Sequence, residues 1–159
     1  MSKSILDGKL ILTVDDEADV LNVLEEEILS ASPTCTIDKA LTYEQAHDLL
    51  NKNDYDVVVL DIMGVRGFDL LEEAVSRKMR VAMLTAHALS PEAMKKSHDL
   101  GARAYLPKAK LGGIVEFLED VLQYDHKAVW KRLLEKLENY YDDRFGEGWK
   151  EKSGIPYWW

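Results

Sequence analysis

Over residues 1 to 124, short apolar runs alternate with longer stretches in which apolar residues recur at three- and four-residue spacing, an α/β pattern. The predicted strands are Leu10 to Val14, Cys35 to Lys39, Val57 to Leu60, Val81 to Leu84 and Ala104 to Leu106. Four are nearly all apolar or small, as strands covered on both faces are. The second carries Thr36, Asp38 and Lys39 and reads as a sheet edge. Between the strands, Ala18 to Leu29 sets Val20, Leu21, Leu24, Ile28 and Leu29 on one helical stripe, with Glu25, Glu26 and Glu27 on the solvated side. Thr42 to Leu50 opens like a capping box, Thr42 being followed by Gln45. Gly67 to Arg77, Ser90 to Leu100 and Gly113 to Tyr124 complete the helices. Ser90-Pro91-Glu92 supplies a cap and a first-turn proline, and Gly101 is placed to end that helix.

Strand-helix pairs of this kind predict a doubly wound five-stranded parallel sheet with right-handed crossovers and helices on both faces. Ligands are then expected beyond the carboxyl ends of the strands. The residues at those ends are Asp15 and Asp16 after the first strand, Asp61 after the third, Thr85 after the fourth and Lys108 after the fifth. Carboxylates converging at one edge repel one another unless a cation joins them, and hard oxygen donors suit magnesium. With that charge offset, one carboxylate can act as a nucleophile toward a phosphoryl group. The metal, the Lys108 ammonium and the Thr85 hydroxyl would balance the phosphoryl oxygens.

At 159 residues, with 47% hydrophobic and 31% charged residues, the chain is long enough for one domain with a real core. No stretch approaches the roughly 18 to 20 apolar residues of a membrane span, and MSKSILDGK lacks a signal segment, so no membrane insertion and a cytoplasmic location are expected. The lone Cys35 can form no internal disulfide and is expected as a small buried thiol. The net charge of -9 lies entirely in residues 1–124, since residues 125–159 hold seven basic and seven acidic side chains. An acidic body repels nucleic-acid phosphates, so direct nucleic-acid binding is not expected.

The runs Ile11-Leu12-Thr13-Val14-Asp15-Asp16-Glu17, Val57-Val58-Val59-Leu60-Asp61-Ile62-Met63, Thr85-Ala86 and Tyr105-Leu106-Pro107-Lys108 together resemble the receiver domain of two-component response regulators, over about residues 8–124. The resemblance implies the flavodoxin-like strand order 2-1-3-4-5. It also implies that Asp61 accepts a phosphoryl group from a sensor histidine kinase or phosphotransfer protein. Asp15, Asp16, Asp61 and the Met63 backbone carbonyl would hold Mg2+, Lys108 would pair with the phosphoryl group, and Thr85 would hydrogen-bond it. Thr85 and Tyr105 would then reshape the face near the fourth helix and fifth strand for a downstream protein target. Such a domain is a phosphoacceptor and not an enzyme, with at most slow self-dephosphorylation. Three features depart from the family pattern. The loop from Gly64 to Gly67-Phe68 is about two residues short. Ala109 replaces the proline that usually follows the lysine in a cis peptide, so the bond is either trans with Lys108 aimed differently or cis and strained. His87 lies where the family varies and carries no rate expectation.

Simpler readings exist for each residue: Asp15 and Asp16 as helix caps, Asp61 as a loop acid, Lys108 on the surface, Thr85 bonding its own backbone and Tyr105 as plain core. Only their joint placement favours chemistry. His47, His98 and His126 show no ligand spacing and are expected at the surface. A dinucleotide-binding enzyme would need glycines where Asp15-Asp16-Glu17 stands, and a flavodoxin-like cofactor carrier fails for the same reason. The remaining alternatives are a degenerate receiver acting as a phosphorylation-independent interaction module, and an aspartate-nucleophile phosphatase.

Residues 125–159 form a separate C-terminal extension. Lys127 to Tyr141 places Trp130, Leu133, Leu134, Leu137, Tyr140 and Tyr141 on a stripe, an amphipathic helix. Gly146, Gly148, Gly154 and Pro156 break the stretch that follows. The extension is expected either to pack back onto the receiver or to bury its stripe and Tyr157-Trp158-Trp159 against a partner, including a second copy in a homodimer.

Overall fold

The chain, described by a computed structural model over residues 4–86 and 89–156, builds its sheet from the predicted apolar runs. The strands β1 (Leu10–Val14), β2 (Thr36–Ala40), β3 (Val57–Asp61), β4 (Arg80–Thr85) and β5 (Ala104–Pro107) are all parallel, in the order β2-β1-β3-β4-β5. β3 is buried throughout, and β1 and β4 are buried except at their first residues. β2 is a partly exposed edge, as its polar residues require.

The helices α1 (Ala18–Ala31) and α5 (Ile114–Gln123) cover one face, and α2 (Tyr43–Lys52), α3 (Gly67–Ser76) and α4 (Pro91–Asp99) the other. Their starts follow local chemistry. Thr42 Oγ1 accepts from the Gln45 amide, and the Gln45 side chain accepts from the Leu41 amide. Ser90 Oγ accepts from the Ala93 amide, with Pro91 opening the helix. Gly101, at φ +101°, carries the left-handed turn after α4.

The other sheet edge, β5, is buried along its whole length because the extension wraps around it. Helix α6 (His126–Phe145) lies against α5 and β5, and α7 (Trp149–Ser153) lies against α4. Asp125 caps α6, its Oδ1 accepting from the Ala128 amide. Trp130, Leu133, Leu134, Leu137, Tyr141, Trp149 and Ile155 belong to the same core as the sheet. The expectation that the tail packs back is therefore met, whereas Tyr157-Trp158-Trp159 lie outside the described residues.

Two expectations need correction. The helix predicted to end at Tyr141 runs on to Phe145, up to Gly146, and within the glycine-broken stretch from Gly146 a short helix, α7, forms between Gly148 and Gly154, both left-handed. The glycines end helices here and do not abolish them. His98 and His126 were expected at the surface but are half-buried: the His98 ring packs 5.1 Å from Trp130 and 4.6 Å from His126. Among the described residues no helix is long and apolar enough to cross a membrane.

Candidate functional site

Parallel strands bring their carboxyl ends to one edge, and here that places acids beside one lysine. Asp15 directly follows β1 and is anchored by its amide, which donates to the Ala40 carbonyl at the end of β2 at 3.1 Å. Asp61 is the last residue of β3 and pairs in register with Leu84, so Thr85 stands one step further along the edge. Thr85 in turn pairs with Pro107, which immediately precedes Lys108. Asp15, Asp16 and Asp61 each offer a carboxylate oxygen within 4.8 Å of the others. Lys108 Nζ lies 2.8 Å from Asp15 Oδ2, 3.4 Å from Asp61 Oδ1 and 3.8 Å from Glu17 Oε1. Asp15, Asp61 and Thr85 are buried, Lys108 is largely covered, and Asp16 opens to solvent.

Burial is the main force on these charges. It pushes the Asp61 carboxyl up to about 6; the neighbouring Asp15 charge adds to this and Lys108 opposes it. Burial also raises Asp15, against the hydrogen bonds it accepts from Lys108 and the Glu17 amide. For Lys108, burial would lower the ammonium, but the Asp15 hydrogen bond and the Asp61 and Asp15 charges outweigh it and the net direction is up. One ammonium among this many carboxylates leaves the site electron-rich. Hard oxygens so placed, with one opening to solvent, fit a divalent cation such as magnesium.

The loop after Asp61 forms the site's outer wall. Gly64 adopts φ +86°, and a Cβ there would fall 2.3 Å from an Asp16 carboxylate oxygen. At Gly67 a Cβ would fall 2.1 Å from the Asp61 carbonyl, and the Gly67 amide donates to the Ile62 carbonyl at 3.0 Å. Arg66 turns left-handed to enter α3, and Val65 is buried beneath. The short loop thus closes by two glycines pressed against the aspartates. Met63 is exposed on it.

The structure brings Asp15, Asp16, Asp61 and Lys108 together and sets Thr85 on the same edge. Asp15 does make a local turn bond, its Oδ1 accepting from the Glu17 amide, but the N-cap of α1 is Glu17 and no side chain caps it, so the capping reading does not hold; the other Asp15 oxygen faces Lys108. Of the two alternatives for the Lys108–Ala109 bond, the structure has the trans one. No described peptide is cis, yet the ammonium reaches both buried acids from the start of a 3-10 segment, Lys108–Gly113. Tyr105 is wholly buried, its hydroxyl accepting from the Ser90 amide at 3.0 Å. His87 lies outside the described residues. Sequence reasoning passed over Glu17 and Gly64 as site residues; the available signals were the third acid of Asp15-Asp16-Glu17 and a glycine just past Asp61.

Comparison with known proteins places this geometry. A family model described as the response regulator receiver domain matches residues 11–118. Among solved structures, a LuxR-family two-component response regulator from Aurantimonas sp. is 19% identical with a TM-score of 0.67, the match covering 82% of this chain and 98% of that one. A response regulator from Thermotoga maritima is 17% identical with a TM-score of 0.65, covering 73% of this chain and 98% of its own. The receiver domain of NtrX from Brucella abortus is 24% identical with a TM-score of 0.63, covering 72% and 99%. At such identities the structures speak for the fold alone. No curated protein sequence matches the chain. The family match over most of the chain, on the fold its members share, establishes that the protein belongs to the response regulator receiver domains, the signalling modules of two-component systems.

Proposed function

We propose that this chain takes a phosphoryl group on Asp61 from the phosphohistidine of a sensor histidine kinase or phosphotransfer protein, in a magnesium-dependent reaction, and signals through protein contacts. The observation that carries this is the meeting of Asp15, Asp16, Asp61 and Lys108 at the carboxyl edge of the sheet. Asp15, Asp16, Asp61 and the Met63 carbonyl would hold the magnesium. When bound, it offsets the carboxylate charge and that of the phosphoryl oxygens.

An Asp61 oxygen attacks phosphorus as the bond to the imidazole nitrogen breaks, the nitrogen keeping the electron pair. Lys108, already between Asp15 and Asp61, pairs with one phosphoryl oxygen, and the Thr85 hydroxyl donates to another. Thr85 opens the segment that ends at Ser90, and Tyr105 holds Ser90. By the family resemblance, a pull at Thr85 would pass to Tyr105 and, through the extension packed on α4 and β5, to a downstream protein, a two-state switch. The signalling state is the product, so turnover is limited to slow self-dephosphorylation.

One observation favours a second reading. Gly64 backs directly onto Asp16, with no space for a side chain there, and a loop drawn this close to a metal-holding acid would suit a receiver that binds partners without phosphorylation. Incubation with acetyl phosphate and magnesium, followed by intact-mass measurement, separates the two. Added phosphoryl mass in the wild type and none in Asp61→Asn supports phosphotransfer. No added mass in the wild type overturns it in favour of the phosphorylation-independent module. Sustained hydrolysis of varied phosphate esters would instead indicate a phosphatase.

A further inference from the structure

We infer that the C-terminal extension is a built-in ligand of the receiver's own β5 edge, and that tail docking and phosphorylation at Asp61 favour the same conformation and strengthen each other. This rests on the Asp61 reading above and adds the tail as the first element to receive the signal.

The contacts run unbroken from Ser90 at the start of α4 to the tail. Tyr105 hydrogen-bonds Ser90 at the start of α4 through its hydroxyl, and its backbone carbonyl accepts from the Tyr141 hydroxyl at 2.8 Å. The two rings lie 6.5 Å apart, and Tyr105 is 0% exposed although it stands on an edge strand. About three turns earlier on α6, Trp130 Nε1 donates at 2.7 Å to the Ala102 carbonyl just before β5, and Trp130 too is fully buried. Helix α7 closes the other side of the seam, with Gly154 packed against the aliphatic stem of Lys95 on α4 and Trp149 against Tyr141.

With α6 in this position the Tyr105 side chain is enclosed, and turning it outward would require α6 to lift. The docked tail thus excludes the outward rotamer. A phosphoryl group on Asp61 that draws Thr85 inward favours the inward one as well. Two influences that select one state are coupled reciprocally, each raising the other's apparent affinity by the same factor. A tail that merely enlarged the core would be indifferent to the site.

Hydrogen exchange on the full chain, with and without beryllofluoride plus magnesium as a phosphoryl mimic, tests this. Exchange in α6 is expected to slow by a larger factor than in α2, which reports global stabilisation only. Beryllofluoride affinity is expected to fall by up to about tenfold in Tyr141→Phe, the worth of one buried hydrogen bond. If beryllofluoride binds and α6 exchange changes no more than α2, or speeds up, the coupling is wrong while the Asp61 reading stands. If beryllofluoride does not bind at all, the Asp61 reading falls and the coupling with it.

Discussion

The acid cluster at the sheet's carboxyl edge and the aromatic seam along β5 lie in one domain but are held together by opposite means. In the cluster, like charges are buried at a cost, Asp61 being driven up to about 6, and a single lysine offsets only part of it. In the seam, Trp130 and Tyr141 bury apolar rings and satisfy their polar atoms on the Ala102 and Tyr105 carbonyls. Under the proposed function the cluster would respond to an added cation or phosphoryl group, and the seam would carry that response. A switch needs both, and removing a residue should therefore have opposite effects on stability in the two regions.

The largest effect belongs to the seam. Trp130→Ala empties a fully buried site and removes a hydrogen bond to the Ala102 carbonyl, and should cost about 3–5 kcal/mol in a urea or thermal unfolding experiment. A loss under about 1 kcal/mol would show that the tail is not part of the core.

The cluster should behave in reverse. The folded chain holds the Asp61 proton more tightly than the unfolded chain, whose ordinary value is 3.8, so without metal this group makes stability fall as pH rises from about 4 to about 6. Above that range the penalty is constant, about 2–3 kcal/mol for that difference in pKa. Asp61→Asn should reduce the slope, leaving the share of the buried Asp15, and be more stable than the wild type at pH 7 with a chelator present, and magnesium should shrink the gap. A destabilised Asp61→Asn would mean that Lys108 fully compensates the charge.

Tyr141→Phe keeps the ring and deletes one hydrogen bond, so it should cost about 1 kcal/mol, measured as a shift in the unfolding midpoint. At the bottom of the scale, Asp99→Asn on α4 breaks an exposed pair with Lys95 and should change stability by no more than about 0.5 kcal/mol.

Particular residues show what was legible in the sequence and what was not. The sheet was readable because buried parallel strands must be apolar along their length, as Val57-Val58-Val59-Leu60 is, and because Asp38 and Lys39 marked the β2 edge. The boundary errors were small, since capping chemistry at Thr42 and Ser90 is local. The edge at β5 was not readable: Ala104-Tyr105-Leu106 looks the same whether a neighbouring strand or a helix from residues 126–145 covers it. Helix α7, five residues between glycines, is too short to show a period and depends on packing against α4. At the site, residue types at strand ends located Asp15, Asp16, Asp61, Thr85 and Lys108. The aim of Lys108 and the close approach of Gly64 to Asp16 are tertiary facts that no spacing encodes.

The central claim is that Asp61 itself carries the phosphoryl group, and peptide mapping by tandem mass spectrometry after reaction with acetyl phosphate and magnesium tests it most directly. The account predicts the phosphoryl mass on the peptide that contains Asp61, localised to that residue. A phosphoryl group on any other residue, or on none, would contradict it.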